Sequence, residues 1–212
     1  MTRVKICGIT ALEDAHLAVE LGAWALGMIF WPGSPRVCTL EQAEAIGAQL
    51  HRRVELTGVF VNATLDHVAE TADVCHFTLL QLHGDEGPAY CQEAGRRTGC
   101  RVIKAARVRD AAQVQDLRAY RTDFHMLDTH SDRAPGGTGE SFDWRLARLH
   151  PGNPPLILSG GLTPDNVGDG IAAVSPFAVD TASGTEAAPG RKDEAKLTAF
   201  FEAVEAADHV VA

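Results

Sequence analysis

Apolar and polar positions along this chain follow two alternating rhythms. Short apolar runs rich in β-branched residues begin near Arg3, Trp24, Glu55, Phe77, Arg101, Asp123, Pro155 and Phe177, and each reads as a strand. Between them lie stretches whose apolar residues recur at helical intervals, including residues 10–21, 39–50, 64–72 and 164–173, behind threonines suited to capping. The fifth unit is the weakest, with only a modest helical stripe over residues 109–120 before the sixth strand. Strict strand–helix alternation calls for parallel strands with right-handed crossovers, and eight such units are enough to close a ring. The pattern therefore predicts an α/β fold, a (βα)8 TIM barrel, with an open doubly wound sheet as the structural alternative.

Composition narrows this picture. A chain of 212 residues with 45% hydrophobic content can bury one substantial core, and no linker or composition break divides it, so residues 1–212 are expected to form a single barrel domain. A net charge of −9 opposes binding to a nucleic-acid backbone. An anionic small molecule would need local basic groups and backbone amides inside a site. The cysteines at 7, 38, 75, 91 and 100 are odd in number and form no Cys-x-x-Cys pair, which suggests neither a disulfide framework nor a zinc site and fits a reducing cytoplasm. No apolar stretch approaches ~18 residues and no basic segment precedes a leader-like run, so a membrane span and a signal peptide are not expected. The histidines show no spacing typical of metal ligation.

In a barrel, chemistry sits at the carboxyl ends of the strands. By this count the rim receives Cys7, Phe30, Val61, His83, Lys104, Asp128, Ser159 and Asp180. Cys7, from strand one, and Asp128, from strand six, would face each other across the mouth as a thiolate base and a carboxylic acid. Each also has a plainer reading: Cys7 as a small buried residue, Asp128 as an ionised helix cap. Burial would raise the pKa of Asp128 and suit it to proton donation. Ser159-Gly160-Gly161 after strand seven and Ser183-Gly184 after strand eight are either tight turns or, taken together, a phosphate cradle built from backbone amides. Ser34-Pro35-Arg36 offers a guanidinium on a stiffened loop, suited to paired hydrogen bonding with a carboxylate. His83 and Lys104 would be either substrate contacts or structural donors. The Gly-rich loop over residues 129–141 directly follows Asp128, a place suited to a lid.

Together these segments resemble one family, phosphoribosylanthranilate isomerase, over nearly the whole chain. The resemblance rests on Val4-Lys5-Ile6-Cys7-Gly8-Ile9-Thr10, Ser34-Pro35-Arg36, Gln81-Leu82-His83-Gly84, Leu127-Asp128-Thr129, Gly136-Gly137-Thr138-Gly139 with Phe142-Asp143-Trp144, Leu158-Ser159-Gly160-Gly161-Leu162 and Pro189-Gly190-Arg191-Lys192-Asp193, in that order. It implies a cofactor-free Amadori rearrangement of N-(5′-phosphoribosyl)anthranilate to 1-(2-carboxyphenylamino)-1-deoxyribulose 5-phosphate in tryptophan biosynthesis, an intramolecular oxidoreduction of the aldose–ketose type. Asp128 would protonate the ribose ring oxygen and Cys7 would remove a proton from the carbon beside the resulting iminium. A free thiol of pKa ~8.5 would need only a modest downward shift for this, helped by the iminium charge. The resemblance also implies Arg36 on the anthranilate carboxylate, a phosphate held by amides around Gly160, Gly161, Ser183 and Gly184, a hydroxyl contact from Asp180, and a substrate contact from His83.

One position departs from the family's usual Asp-Val-Ser-Ser-Gly-Val-Glu: Ala182, in Asp180-Thr181-Ala182-Ser183-Gly184-Thr185-Glu186, lacks a hydroxyl that could assist phosphate binding. Sister sugar-phosphate barrels fit less well. An aminoimidazole ribotide isomerase would carry Asp where Cys7 stands, and an indole-ring-closing enzyme would add a lysine acid and an N-terminal extension. A non-catalytic anion-binding barrel would have no need of Cys7 and Asp128.

Overall fold

The structure, a computed structural model of the chain, describes residues 1–128 and 144–211. Eight parallel strands hydrogen-bond in sequence order: β1 (Arg3–Cys7), β2 (Ala25–Ile29), β3 (Glu55–Phe60), β4 (Leu79–Leu82), β5 (Arg101–Arg107), β6 (Phe124–Asp128), β7 (Leu156–Leu158) and β8 (Ala178–Thr181). Because β1 pairs with β8 as well as with β2, the sheet closes, which excludes the open doubly wound alternative. Helices α1 (Leu12–Glu20), α2 (Leu40–Leu50), α3 (Leu65–Val74), α4 (Pro88–Thr98), α5 (Ala111–Asp116), α6 (Val167–Val174) and α7 (Glu194–Val211) surround it.

Local chemistry explains both the agreements and the departures. Thr39 caps α2 in a reciprocal capping box with Gln42, and Thr64 caps α3. Thr10 does not cap α1: its hydroxyl donates instead to the Gly190 carbonyl at 2.6 Å, while Ala11 occupies the cap position. Helix α6 begins at Val167 rather than near Pro164, since Asn166 folds back to accept from Thr163 N–H and to donate to the Gly161 carbonyl. The weak fifth unit is a short α5 extended by a 3-10 turn over Leu117–Ala119. Between β6 and β7 the described residues form only a 3-10 turn, Ala147–Leu149, so strict alternation lapses there. A hairpin of β9 (Glu186–Ala188) and β10 (Arg191–Lys192), which periodicity did not anticipate, lies between β8 and α7. Among the described residues no helix is long and apolar enough to cross a membrane.

Alternation along the strands divides two cores. Val4, Ile6, Leu26, Leu80 and Val102 face the helices. Ala25, Leu79, Ile103, Phe124, Met126, Ile157 and Ala178 fill the barrel, and Trp24 and Phe177 pack edge-to-face below them with ring centroids 5.3 Å apart. Above this apolar plug the interior turns polar, with Lys5, Gln81 and Asp180 all buried. The rim chemistry therefore rests on a filled, solid floor.

Outside the barrel, His125 and His150 form a buried pair whose tautomers follow from their bonds. Gly152 N–H donates to His150 Nδ1, so His150 donates from Nε2 to His125 Nδ1 at 2.9 Å, and His125 donates from Nε2 to the Tyr120 carbonyl. Both rings are neutral. Burial lowers His125, and burial with its neighbour takes His150 down to about 4. In the unfolded chain a histidine takes up its proton near ~6.5, so below that pH the unfolded state binds protons that the folded state refuses. Stability should therefore fall as pH drops from about 6.5 towards 4, by up to ~1.4 kcal/mol per pH unit for each histidine. Urea midpoints at pH 7 and pH 5 check this; the native chain should lose more stability across the interval than a His150→Gln variant, and equal losses would contradict it.

Candidate active site

Cys7 ends β1 with its side chain directed inward and only 6% of the residue exposed. Lys5, two residues earlier on the same face, is fully buried, and its ammonium donates to Asp180 Oδ1 at 2.6 Å. The other oxygen of Asp180 accepts from the Ser159 hydroxyl at 2.8 Å. A polar chain thus crosses β1, β8 and the end of β7. Asp180 belongs to it as the penultimate residue of β8, below the tip where sequence counting had placed it. Gly27, the register partner of Cys7 on β2, makes the space: a Cβ there would stand 2.9 Å from Cys7 Sγ and 3.0 Å from Lys5 Nζ.

The electrostatics correct one expectation. Burial pushes the Cys7 thiol above the ordinary thiol range; the Lys5 charge works against this, Asp180 works with it, and Lys192 again opposes it. Cys7 is thereby held as a neutral thiol, not as a base already poised by a downward shift. Burial also disfavours charge on Lys5, but Asp180 and Cys7 outweigh it and hold the ammonium above its ordinary value.

A second constellation closes over the β1 tip. Arg36 grips Glu186 with a fork, Nε to both carboxylate oxygens and Nη2 to Oε2, at 2.8 to 2.9 Å. The paired carboxylate expected for this arginine is thus present within the chain itself. Gly8, at φ 75°, lets the strand turn and lets the Arg36 stem cross it, since a Cβ there would meet Arg36 Cδ at 2.8 Å. Lys192, buried on β10, donates to the Cys7 carbonyl at 2.7 Å, to the Ala182 carbonyl at 2.9 Å and to Glu186 at 3.4 Å. Burial lowers Lys192 despite Glu186, while Glu186 stays below its usual range because Arg36 and Lys192 outweigh its own burial. Ala182 serves this cluster through its carbonyl, which needs no hydroxyl.

Across the mouth, Asp128 ends β6, with its side chain 19% exposed. The burial invoked to raise its pKa is therefore partial. His83, just past β4, brings Nε2 to 3.1 Å from Asp128 Oδ2, a close approach rather than an aligned hydrogen bond, and its Nδ1 lies 3.1 Å from Gln81 Nε2. Lys104 does not reach the rim. Strand β5 continues to Arg107, and alternation turns Lys104 outward between Ile103 and Ala105. There it is buried against Glu86 at 2.9 Å and the Gly84 carbonyl at 2.7 Å, bracing the loop that carries His83. The loop over 129–141, the Gly136-Gly137-Thr138-Gly139 motif, Phe142 and Asp143 lie outside the described residues.

The seventh and eighth loops meet closely. Gly160 and Gly161 take φ values of 96° and 66°. Ser183 and Gly184 lie in the 3-10 turn Ser183–Thr185, and the Thr181 hydroxyl donates to the Leu162 carbonyl at 2.7 Å. A Cβ on Gly184 would fall 2.0 Å from that same carbonyl. Glycine is required where the two loops touch, because the Leu162 carbonyl and the Thr181 hydroxyl leave no space for a side chain at Gly184.

Lys5, Gly27, Glu186 and Lys192 escaped residue-by-residue reading. For Lys5 a signal existed, since it interrupts an otherwise apolar strand on the face shared with Cys7; Glu186 and Lys192 come together only through the hairpin.

Known proteins similar to this chain share its fold and identify its family. The family described as PRAI, N-(5′-phosphoribosyl)anthranilate (PRA) isomerase, matches residues 4–203. The N-(5′-phosphoribosyl)anthranilate isomerase of Geobacter metallireducens is 50% identical over 201 residues, 95% of this chain and 98% of that protein. The crystal structure of phosphoribosyl anthranilate isomerase from Thermotoga maritima superposes with a TM-score of 0.87 at 39% identity, covering 97% of this chain and 100% of that one. A crystal structure of a phosphoribosyl anthranilate isomerase in complex with reduced 1-(o-carboxyphenylamino)-1-deoxyribulose 5-phosphate gives a TM-score of 0.83 at 36% identity, covering 97% of this chain and 100% of that one.

Because loops seven and eight leave no room for a methyl group at their contact, Gly184→Ala should destabilise the chain by about 1–3 kcal/mol through forced separation of the two loops. A urea midpoint equal to that of the unaltered chain would show that the contact yields freely.

Proposed function

This chain belongs to the N-(5′-phosphoribosyl)anthranilate isomerase family, and from that premise we propose that it catalyses the Amadori rearrangement of N-(5′-phosphoribosyl)anthranilate to 1-(2-carboxyphenylamino)-1-deoxyribulose 5-phosphate in tryptophan biosynthesis, as a cofactor-independent aldose–ketose isomerase. The observation that carries the reading is the presence of Cys7 and Asp128 at the carboxyl ends of β1 and β6, on the rim where loops seven and eight meet.

In this reading Asp128 gives a proton to the ribose ring oxygen, and the C1′–O bond breaks to leave an iminium. His83 steadies the acid from 3.1 Å. The iminium withdraws electrons from C2′, and Cys7, as thiolate, takes the C2′ proton to leave an enaminol. A proton gained at C1′ and one lost from the 2′-hydroxyl complete the ketone, so the overall reaction is proton-neutral. The cation also resolves the state of the base. A thiol held neutral by burial gives its proton to solvent at the rim more readily once a positive charge stands beside it.

The phosphate binds at the backbone of Gly160, Gly161, Ser183 and Gly184, where glycine permits close approach. Arg36 serves the anthranilate carboxylate through Nη1, the guanidinium nitrogen that the fork to Glu186 does not use. Asp180, with both oxygens engaged by Lys5 and Ser159, supports the sugar side of the site. All five cysteines are free, in keeping with a reducing cytoplasm as the compartment.

The test is a fluorescence assay of anthranilate ribotide consumption by the purified protein without added metal; no consumption would refute the reading. Cys7→Ser and Asp128→Asn should each lower kcat by about 10²–10⁴-fold with the fold retained. Near-normal turnover in both would overturn the assignment. Arg36→Ala should chiefly raise KM, and an unchanged KM would remove Arg36 from the site.

A further inference from the structure

Among the described residues, Lys5 is a buried charge near the rim whose placement the proposed reaction leaves unexplained. It is fully buried inside a barrel whose lower interior is apolar, and burying an ammonium is costly without specific partners. It has them. Asp180 Oδ1 stands 2.6 Å away, and that carboxylate is itself fixed through Oδ2 by Ser159. Its neighbour on the strand is the thiol. Lys5 and Cys7 project from the same face of β1 two residues apart. Gly27 shows how closely they share space, since the point where its Cβ would stand lies about 3 Å from both Sγ and Nζ.

From this geometry we propose that Lys5 is a positioning residue for the base: its ammonium, anchored on Asp180, is the built-in counter-ion that Cys7 Sγ meets when it becomes a thiolate. The inference rests on the reading of Cys7 as the base. Among the described residues, the charged groups facing Cys7 are Lys5 on its own strand, Asp180 from β8 and Lys192 from the β10 hairpin. Lys192 binds the Cys7 carbonyl and two further acceptors, which directs it to the backbone. Lys5 is the ammonium on the side-chain face. Asp180 then has two opposed effects, orienting Lys5 while adding a negative charge that disfavours the thiolate.

Those opposed effects make the proposal testable without substrate. Iodoacetamide alkylates a cysteine in proportion to its thiolate fraction. The rate at Cys7 is to be followed at fixed pH in the full-length chain by mass analysis of the Cys7 peptide. Lys5→Met should slow it about tenfold, the equivalent of a one-unit rise in thiol pKa, and Asp180→Asn should speed it several-fold. The double variant, which leaves no unpaired charge should Lys5→Met fold poorly, should still alkylate more slowly than the native chain. A purely structural ion pair predicts something else: breaking it from either side loosens the site and speeds alkylation in both single variants. That result, or unchanged rates, overturns the proposal. In the turnover assay Lys5→Met should lose kcat with KM held within about twofold, and should regain activity as pH rises, a recovery that structural damage would not show. If the native chain consumes no anthranilate ribotide while the opposed alkylation effects hold, the reaction fails and the ion-pair proposal stands.

Discussion

An ammonium sealed inside a barrel must be neutralised where it stands, and the upper half of this molecule is arranged around that demand at Lys5. The compensating carboxylate is Asp180, and a carboxylate buried to the same depth needs its second oxygen satisfied, which Ser159 does from the neighbouring strand. Three adjacent strands, β7, β8 and β1, are therefore tied by side chains where the hydrogen-bond ladder is shortest, with β7 only three residues long. The same pair forces β2 to carry Gly27, since a Cβ would collide with both Sγ and Nζ. One charge on β1 thus specifies residues on β8, on β2 and just past the end of β7.

The hairpin of β9 and β10 solves a related problem at the rim. A strand tip exposes a carbonyl with no ladder partner, and at Cys7 that carbonyl is taken by Lys192. Lys192 is buried and needs acceptors, which Ala182 and Glu186 provide; Glu186 is buried and needs cations, which Lys192 and Arg36 provide. The network closes on itself and fixes the backbone of Cys7 from the C-terminal side, independently of the contacts that surround its sulfur. The backbone of Cys7 is held by Lys192 while its side chain lies beside Lys5, two lysines arriving from opposite ends of the sequence.

How much of this was legible follows from the range of the interactions. Period-two and helical stripes are local, so the strand count, the closed barrel and the threonine caps of α2 and α3 could be read directly. Thr10 misled because its hydroxyl found a partner 180 positions away at Gly190. Lys104 misled because a rim count assumes that every strand stops at the same height, and β5 runs on to Arg107. Its outward side follows from parity once the strand is aligned, and a buried lysine facing the helices becomes a brace for Glu86 and Gly84. Asp180 lies one residue inside the end of β8, where it engages Lys5 instead of standing on the rim. Motif resemblance reached Pro189-Gly190-Arg191-Lys192-Asp193 without a physical account of it; the hairpin supplies that account.

A raised thiol pKa looks at first like an obstacle to the base role proposed for Cys7, yet it suits the proposed reaction, whose intermediate is a cation. A site that stabilised thiolate strongly in the empty state would hold that anion equally well before and after the substrate ionises, and uniform stabilisation does not lower a barrier. Here burial opposes the anion, Lys5 opposes burial, and Asp180 partly offsets Lys5, so the thiol stands neutral until a further positive charge arrives. In the proposed reaction the iminium brings that charge only after ring opening. Electrostatic stabilisation is then strongest late, when a proton must leave carbon, and a low-dielectric interior enlarges the difference between the two moments. In the proposed reaction the polar chain beneath Cys7 sets the timing of thiolate formation.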